Sequence, residues 1–439
     1  MNWLGVFRLG LVQMALGAIV VLTTSTLNRV MVVELALPAL VPGLLVALHH
    51  AVQLARPRLG FGADVGGRCT PWIIGGMAVL GAGGALAALG VAWAGTDRPA
   101  GLALVTLAYA LVGLGVAGSG TALLVLLAKR VPEGRRAGAA TVVWMMMIAG
   151  FAITAGLAGR WLDPYSPARL VAVSSAVSLL AWLVTLLAVW GVEKASAAAQ
   201  PAAPARKEHP EFRAALREVW SEPVARRFTI FVAVSMLAFS AQDLILEPFA
   251  GVVFGLGPGA TTQLSGVQHG GVFAGMLAAG LAGRRAFGSL RAWTVGGCLA
   301  SALALAGLCM AGFVGGAWPL HATVFALGAA NGAFSIAAIG SMMRLAGAGR
   351  RGREGTRMGL WGAAQAIAFG GGGLLGAGAS DLVRLAVPAP GEAYAIVFGA
   401  EALLFVVAAR LAAAIEPAAA VQGKAGDPWQ RPVTPTMPS

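Results

Sequence analysis

Apolar residues fall into twelve long blocks separated by polar connections, at 7–27, 31–54, 71–94, 101–127, 138–159, 169–190, 228–250, 262–283, 292–314, 318–343, 358–380 and 393–414. Each block is near the roughly 20 residues an α-helix needs to cross about 30 Å of hydrocarbon. The pattern predicts an all-α integral membrane protein of twelve transmembrane helices. The long polar interruption at 192–227 divides the blocks six and six, which gives an N-terminal six-helix bundle at 1–191, a linker at 192–227, a C-terminal bundle at 228–414 and a tail at 415–439. Within the linker, the Ala/Pro-rich stretch from Ala195 to Pro204 reads as flexible. Phe212, Leu216, Val219 and Trp220 oppose Arg213 and Arg217, the pattern of a short helix on the membrane surface; a partly ordered connector fits as well. Prolines at 417, 428, 432, 435 and 438 mark the tail as disordered.

Charge sets the orientation. Of 31 Lys and Arg residues, 22 lie in alternate connections and five in the others. Basic residues are retained on the cytoplasmic side, so both termini are expected there. The net charge of +13 is therefore topological and excludes a nucleic-acid partner, since the cations border hydrocarbon instead of covering one soluble face. A composition of 58% hydrophobic and 11% charged residues leaves too little polar surface for a soluble chain of this length. Cys69, Cys298 and Cys309 have neither metal-ligand spacing nor the pairing pattern of a disulfide framework. Asn28-Arg29 follows the first block where a cleavable signal would carry small residues, so that block is expected to remain as the first helix.

The halves read as a repeat. A shift of 220 places the loop from Gly60 to Arg68 opposite that from Gly280 to Gly288, and His49 opposite His269; chance agreement in glycine-rich sequence is the alternative. Runs such as Gly113-x-Gly115-x2-Gly118-x-Gly120, Gly266-x3-Gly270 and Gly370 to Gly373 suit close helix packing.

Ionisable groups inside a bilayer cost on the order of 3 kcal/mol, so each needs a partner, water or a purpose. His49, His50 and His269 lie within blocks. Adjacent residues diverge by about 100° on a helix, so His49 and His50 cannot share a face, and one is free to face lipid. Gly270-Gly271 leaves room beside His269 for a flat ligand; packing is the alternative use. Glu34, Asp243 and Glu247 fall near the outer ends of the second and seventh blocks, near Arg29 and Pro248. Glu401 lies near the middle of the last block, where proton coupling and pairing with Gln365 are the competing readings. Met145-Met146-Met147 reads as packing.

Gly60-x3-Asp64-x2-Gly67-Arg68 resembles the signature loop of the major facilitator superfamily, whose two six-helix halves enclose a central site. By that resemblance Gly60, Asp64, Gly67 and Arg68 form a cytoplasmic gate loop. Leu27-Asn28-Arg29-Val30-Met31-x2-Glu34-Leu35 with Pro38, and Gln242-Asp243-x3-Glu247-Pro248-Phe249, are more specific and resemble the bacteriochlorophyll delivery (PucC/LhaA-like) branch. Pro71-Trp72-Ile73 and the segment from Gly359 to Ala366 fit the same branch. The resemblance implies handling of bacteriochlorophyll or a precursor as cargo, delivery to antenna or reaction-centre polypeptides, contact with pigment-synthesis enzymes, and residence in a photosynthetic inner membrane.

A neutral imidazole is a sound axial ligand for a magnesium porphyrinoid, which makes His49, His50 and His269 candidate pigment ligands; a hydrogen bond to a neighbouring helix is the alternative for each. Asn28, Arg29, Glu34, Gln242, Asp243 and Glu247 would form a polar rim. Two other functions stay open: secondary transport of a small apolar or amphiphilic compound coupled through Glu401 or Asp243, and a non-transporting assembly scaffold. No nucleophile–base arrangement, phosphate loop or metal cluster is present in the sequence, so no enzymatic activity is expected.

Overall fold

The computed structural model describes residues 1–55, 68–132, 135–193, 212–284, 287–348 and 354–415. The first helix, α1 (Trp3–Glu34), is longer than its apolar block and widens into π-helical turns at Leu22–Thr26 and Val30–Glu34. The sequence pattern breaks the chain at 28–30; the structure breaks it at 35–39, where Ala36 adopts a positive φ of 50°. Asn28 and Arg29 stay helical because groups from other helices meet their polar heads, as described below.

The chain continues through α2 (Leu40–Val52), α3 (Thr70–Trp93), α4 (Arg98–Arg130), α5 (Arg136–Trp161) and α6 (Pro167–Val189). A short helix α7 (Phe212–Ser221) precedes α8 (Pro223–Phe254), α9 (Pro258–Arg284), α10 (Leu290–Val314), α11 (Leu320–Ala348), α12 (Glu354–Ala386) and α13 (Pro390–Ala413). Ten of these are long and apolar enough to cross a membrane. Of the other two spans, α2 has only 13 residues, and α9 is interrupted by Thr261-Thr262-Gln263 and Gln268-His269. With α7 set apart, the described residues form twelve helices, and the chain is a multi-pass membrane protein.

The helices pack as two bundles. Leu9, Leu80 and Leu123 anchor the first core, and Phe231, Phe334 and Phe405 the second. Large apolar side chains such as Leu385 (85% exposed) and Leu303 (75%) face outward, the arrangement expected where hydrocarbon replaces water. In α7, Val219 is buried in the second core, so at this residue the helix turns its apolar face into the protein.

One end of the molecule carries Arg68, Arg130, Arg226, Arg291 and Arg344 and is called the basic end here. There, Glu193 accepts hydrogen bonds from the amides of Cys69 (2.7 Å) and Thr70 (3.0 Å), which caps α3, and Arg68 stands 4.0 Å away. In the second bundle the buried Arg357 grips Glu222 through two bonds of 2.7 and 2.9 Å. Each of these links stays within one bundle. Gly60, Asp64 and Gly67 of the gate loop, the 194–211 part of the linker and the tail from 416 lie outside the described residues.

Candidate functional site

The two bundles meet along two seams, α2 against α12 and α5 against α9. Away from the basic end both seams are close because glycine removes the side chain. Gly159 and Gly259 abut across α5–α9, and Gly43 packs on Ala377 across α2–α12.

At that same end the residues of the sequence-predicted polar rim interlock. Asn28 Nδ2 donates to the Leu244 carbonyl at 2.7 Å. Leu244 is four residues before Pro248, whose ring nitrogen has no hydrogen to offer that carbonyl. Arg29, 3% exposed, pairs with Glu34 and donates to the Leu256 carbonyl at 2.7 Å. Gly251 makes room for its guanidinium. Ser25 donates to Glu247 and lies 3.0 Å from the Ser265 hydroxyl, and Thr26 shares a 2.9 Å bond with Thr262. Asp381 on α12 accepts from the amides of Ala39 (3.0 Å) and Leu40 (2.7 Å) and so caps α2 from the other bundle. Through Asn28, Arg29 and Glu247 the rim thus links the bundles, although Glu34 pairs with Arg29 on its own helix, Asp243 bonds within the second bundle and Gln242 takes no part. It also includes Ser25, Thr26, Thr262 and Asp381, which sequence reasoning missed: hydroxyls and one carboxylate carry no signal until the partner helix is in place.

Asp243 and Glu247 lie deeper than expected. They precede the end of α8 at Phe254 by 11 and 7 residues, roughly 16 and 10 Å of helix. The seventh helix outruns its apolar block at both ends. Asp243 accepts from Gln268 Nε2 at 3.2 Å.

Each seam carries a histidine. His50 lies against Phe369 of α12 (ring centroids 6.1 Å), and its Cβ occupies the space left by Gly370. His269 meets Phe151 of α5 edge-on at 4.9 Å. Counted from the end away from the basic loops, His50 is ten residues into α2 and His269 eleven into α9, about 15 Å deep in both cases. They thus stand at similar depths in the two halves, and His50, not the His49 that a shift of 220 sets opposite His269, is the residue that faces a seam. His49 turns inward instead: it is 3% exposed, its carbonyl packs at Gly113, and its Nε2 meets the Gln53 amide at 3.0 Å. His49 thus faces the interior of the first bundle, and the half-buried His50 faces the seam with α12.

His269 Nδ1 lies 2.9 Å from the Ser265 carbonyl, which can only accept. In a neutral ring Nδ1 then carries the proton and Nε2 the lone pair, the arrangement that orients an imidazole for ligation. Beside it Gly270 has open space, whereas Gly271 is filled by the α11 backbone.

Glu401 is 3% exposed, and neither oxygen has a hydrogen-bond partner among the described residues. The Gln365 amide lies 3.9 Å from Met236 Sδ, so the alternative pairing with Glu401 does not form. The Gln242 amide is likewise buried without a partner, and Asp243 is within electrostatic reach of Glu401. Met147 packs with Ile148, Val272 and Met276 across α5–α9, a packing role.

Two small clefts, one lined by Ile19, Gly84 and Ser178 and one by Phe231, Arg291 and Ser341, each lie inside one bundle; the first leaves no room for a water and the second about 20 Å³. Among the described residues no three His, Cys, Asp or Glu side chains gather as a metal site.

This architecture is shared with solved transporters. A bacterial homolog of the human lysosomal transporter Spinster, inward-facing and unoccupied, superposes with a TM-score of 0.68 at 16% identity, covering 95% of this chain and 97% of that one. A D-xylose–proton symporter gives 0.70 at 14% identity, covering 94% and 97%. These likenesses establish the fold, that of the major facilitator superfamily. In sequence the chain is 54% identical over 416 residues to the bacteriochlorophyll synthase 44.5 kDa chain of Rhodobacter capsulatus, covering 94% of this chain and 96% of that protein. It is 31% identical over 427 residues to protein PucC of the same organism, covering 91% and 90%. The PUCC protein family model matches residues 26–419, so the chain belongs to the PUCC family.

Proposed function

We propose that this chain carries bacteriochlorophyll or a precursor within a bacterial photosynthetic membrane and delivers it to antenna or reaction-centre polypeptides as they assemble. The observation that carries the reading is the placement of His50 and His269 at one depth, one on each seam, each beside an aromatic ring. An imidazole on a seam meets a flat, apolar cargo arriving sideways from lipid, as a tetrapyrrole with a hydrocarbon tail would. Two small clefts, each within a single bundle, have no room for such a cargo, which favours a seam. Of the three histidines, His269 is the best prepared as a ligand, through the Ser265 carbonyl and the open space at Gly270. His49 is the least prepared, since its Nε2 meets Gln53.

In this reading the basic end and both termini are cytoplasmic. The bundles, 1–191 and 228–414, part at that end while the Asn28, Arg29 and Asp381 links hold the other closed. The chain performs no catalytic step; any chemistry on the pigment belongs to partner enzymes.

The test is an absorption spectrum of the protein purified in mild detergent from a pigment-producing host, beside His50→Ala and His269→Ala variants. A stoichiometric near-infrared band weakened in His269→Ala is expected. A colourless protein, when a control pigment protein keeps its colour in the same detergent, would sink the reading. A second reading is proton-coupled transport of an amphiphile, favoured by the buried Glu401, whose oxygens have no hydrogen-bond partner among the described residues. It requires a flux that follows the pH gradient and is lost in Glu401→Gln.

A further inference from the structure

His269 offers the α5–α9 seam a ring nitrogen that the protein does not use. Its Nδ1 is taken by the Ser265 carbonyl at 2.9 Å, which leaves the lone pair of the neutral ring on Nε2. Nε2 has no hydrogen-bond partner among the described residues. It does not belong to the enclosed polar atoms that share that condition, such as the Glu401 oxygens, so it keeps an open side. The polar side chains closest to it along α9 are committed elsewhere, Gln268 to Asp243 at 3.2 Å and the Ser265 hydroxyl to Ser25 at 3.0 Å. Across the seam the ring meets Phe151 edge-on, and Phe151 and Phe273 continue into the apolar cluster of Ile148 and Val272. The setting therefore holds an oriented acceptor with no donor of its own, in apolar surroundings where an unmet acceptor is costly.

The two forms of a tetrapyrrole answer such an acceptor differently. A ring holding a magnesium or zinc ion presents an axial coordination position perpendicular to its plane, which an imidazole lone pair fills. The same ring without metal keeps its inner N–H groups in the plane, so a nitrogen above the ring meets them at about 90°, an angle at which a hydrogen bond is lost. We propose that His269 selects cargo by its central metal: the α5–α9 seam retains a tetrapyrrole bearing a metal with a free axial position and discriminates against the same ring without one. This selectivity rests on the pigment reading above and adds to it the property by which the site chooses.

The full-length protein in mild detergent, offered bacteriopheophytin, a metal-free ring, together with its zinc derivative, tests the selectivity, with retention measured against protein-free micelles. The zinc form should be retained about tenfold or more over the metal-free form, which leaves the Nε2 acceptor buried and unmet. His269→Phe keeps a flat side chain but removes the lone pair, so it should hold the two forms equally, the loss falling on the zinc form alone. Thermal melts check that this variant folds; should it not, His269→Leu takes its place with the same expected result. Equal retention of the two forms by the native protein would overturn the selectivity and leave the pigment reading standing, whereas retention of neither would overturn both. An undiminished preference for zinc in a folded His269 variant would overturn the assignment to His269.

Discussion

Asn28 on α1 donates its amide to the Leu244 carbonyl of α8, the acceptor that Pro248 cannot serve. Proline inside a helix removes one hydrogen bond and leaves a carbonyl exposed. In a membrane that carbonyl needs another donor, and tertiary contacts commonly supply one. Here the donor comes from the other bundle, so a local defect in α8 becomes a point of attachment between the halves. The two residues belong to the two family-specific segments, which are far apart in sequence and joined at this bond.

Asn28→Ala is expected to lower stability in detergent by about 1–3 kcal/mol, since it leaves a buried carbonyl unsatisfied. Pro248→Ala returns an N–H to position 248, and in that background the Asn28 substitution should cost about 1 kcal/mol less, the size of coupling seen between residues in contact. A double-mutant cycle on thermal melts measures this; strictly additive effects would show that the pair is not coupled.

A side chain at position 251 should strike the Arg29 guanidinium, because a Cβ there would lie 3.1 Å from Nε and Nη2. Gly251→Ala is expected to cost about 1–3 kcal/mol, as overpacking does. The penalty should shrink in an Arg29→Ala background. Equal penalties in both backgrounds would assign the effect to the α8 backbone instead.

Glu193 lies beyond the end of α6. Its partial burial pushes the carboxyl upward, but hydrogen bonds from Thr70 and Cys69 and the Arg68 charge outweigh this and hold it below the ordinary value. A folded-state value below the unfolded one stabilises the protein above the unfolded pKa, about 4.3 for Glu, and that contribution disappears as pH falls through the folded value. Glu193→Gln should therefore melt below the native protein at pH 7, with the gap closing toward pH 3. A gap that stays constant with pH would rule out the carboxylate as the cause.

Replacing Arg357, which is 1% exposed, removes both of its bonds to Glu222, whose largely buried side chain is 19% exposed. Arg357→Ala is expected to cost about 3–5 kcal/mol. Limited proteolysis near α7, next to Glu222, should become faster in parallel with the loss in melting temperature. A loss under 1 kcal/mol would show that another group takes over the pairing.

Glu401 carries two buried oxygens with no partner among the described residues. Glu401→Leu is expected to raise stability by about 1–3 kcal/mol by removing that unsatisfied pair from an apolar setting. A fall in melting temperature would show that water or an ion satisfies the carboxyl in the membrane.

The number and type of helices, the basic end and the two relating segments are legible in the sequence, because crossing a bilayer imposes a length and apolarity that each helix must meet by itself. The Arg29–Glu34 pair was also within reach, being local. Neither the end of α1 nor the depth of Asp243 was, since polar residues that other helices satisfy look like the edge of an apolar block. The same reason hid the clasp: Asn28, Asp381 and Ser25 gain their roles from Leu244, Ala39 and Glu247, which only packing brings near. Which histidine faces a seam was decided by the rotation of α2 against α4 and α12. Sequence alone set the solvent each segment must tolerate; tertiary structure chose the partners, because hydrogen bonds and packing act over a few ångströms between residues the chain separates by two hundred positions.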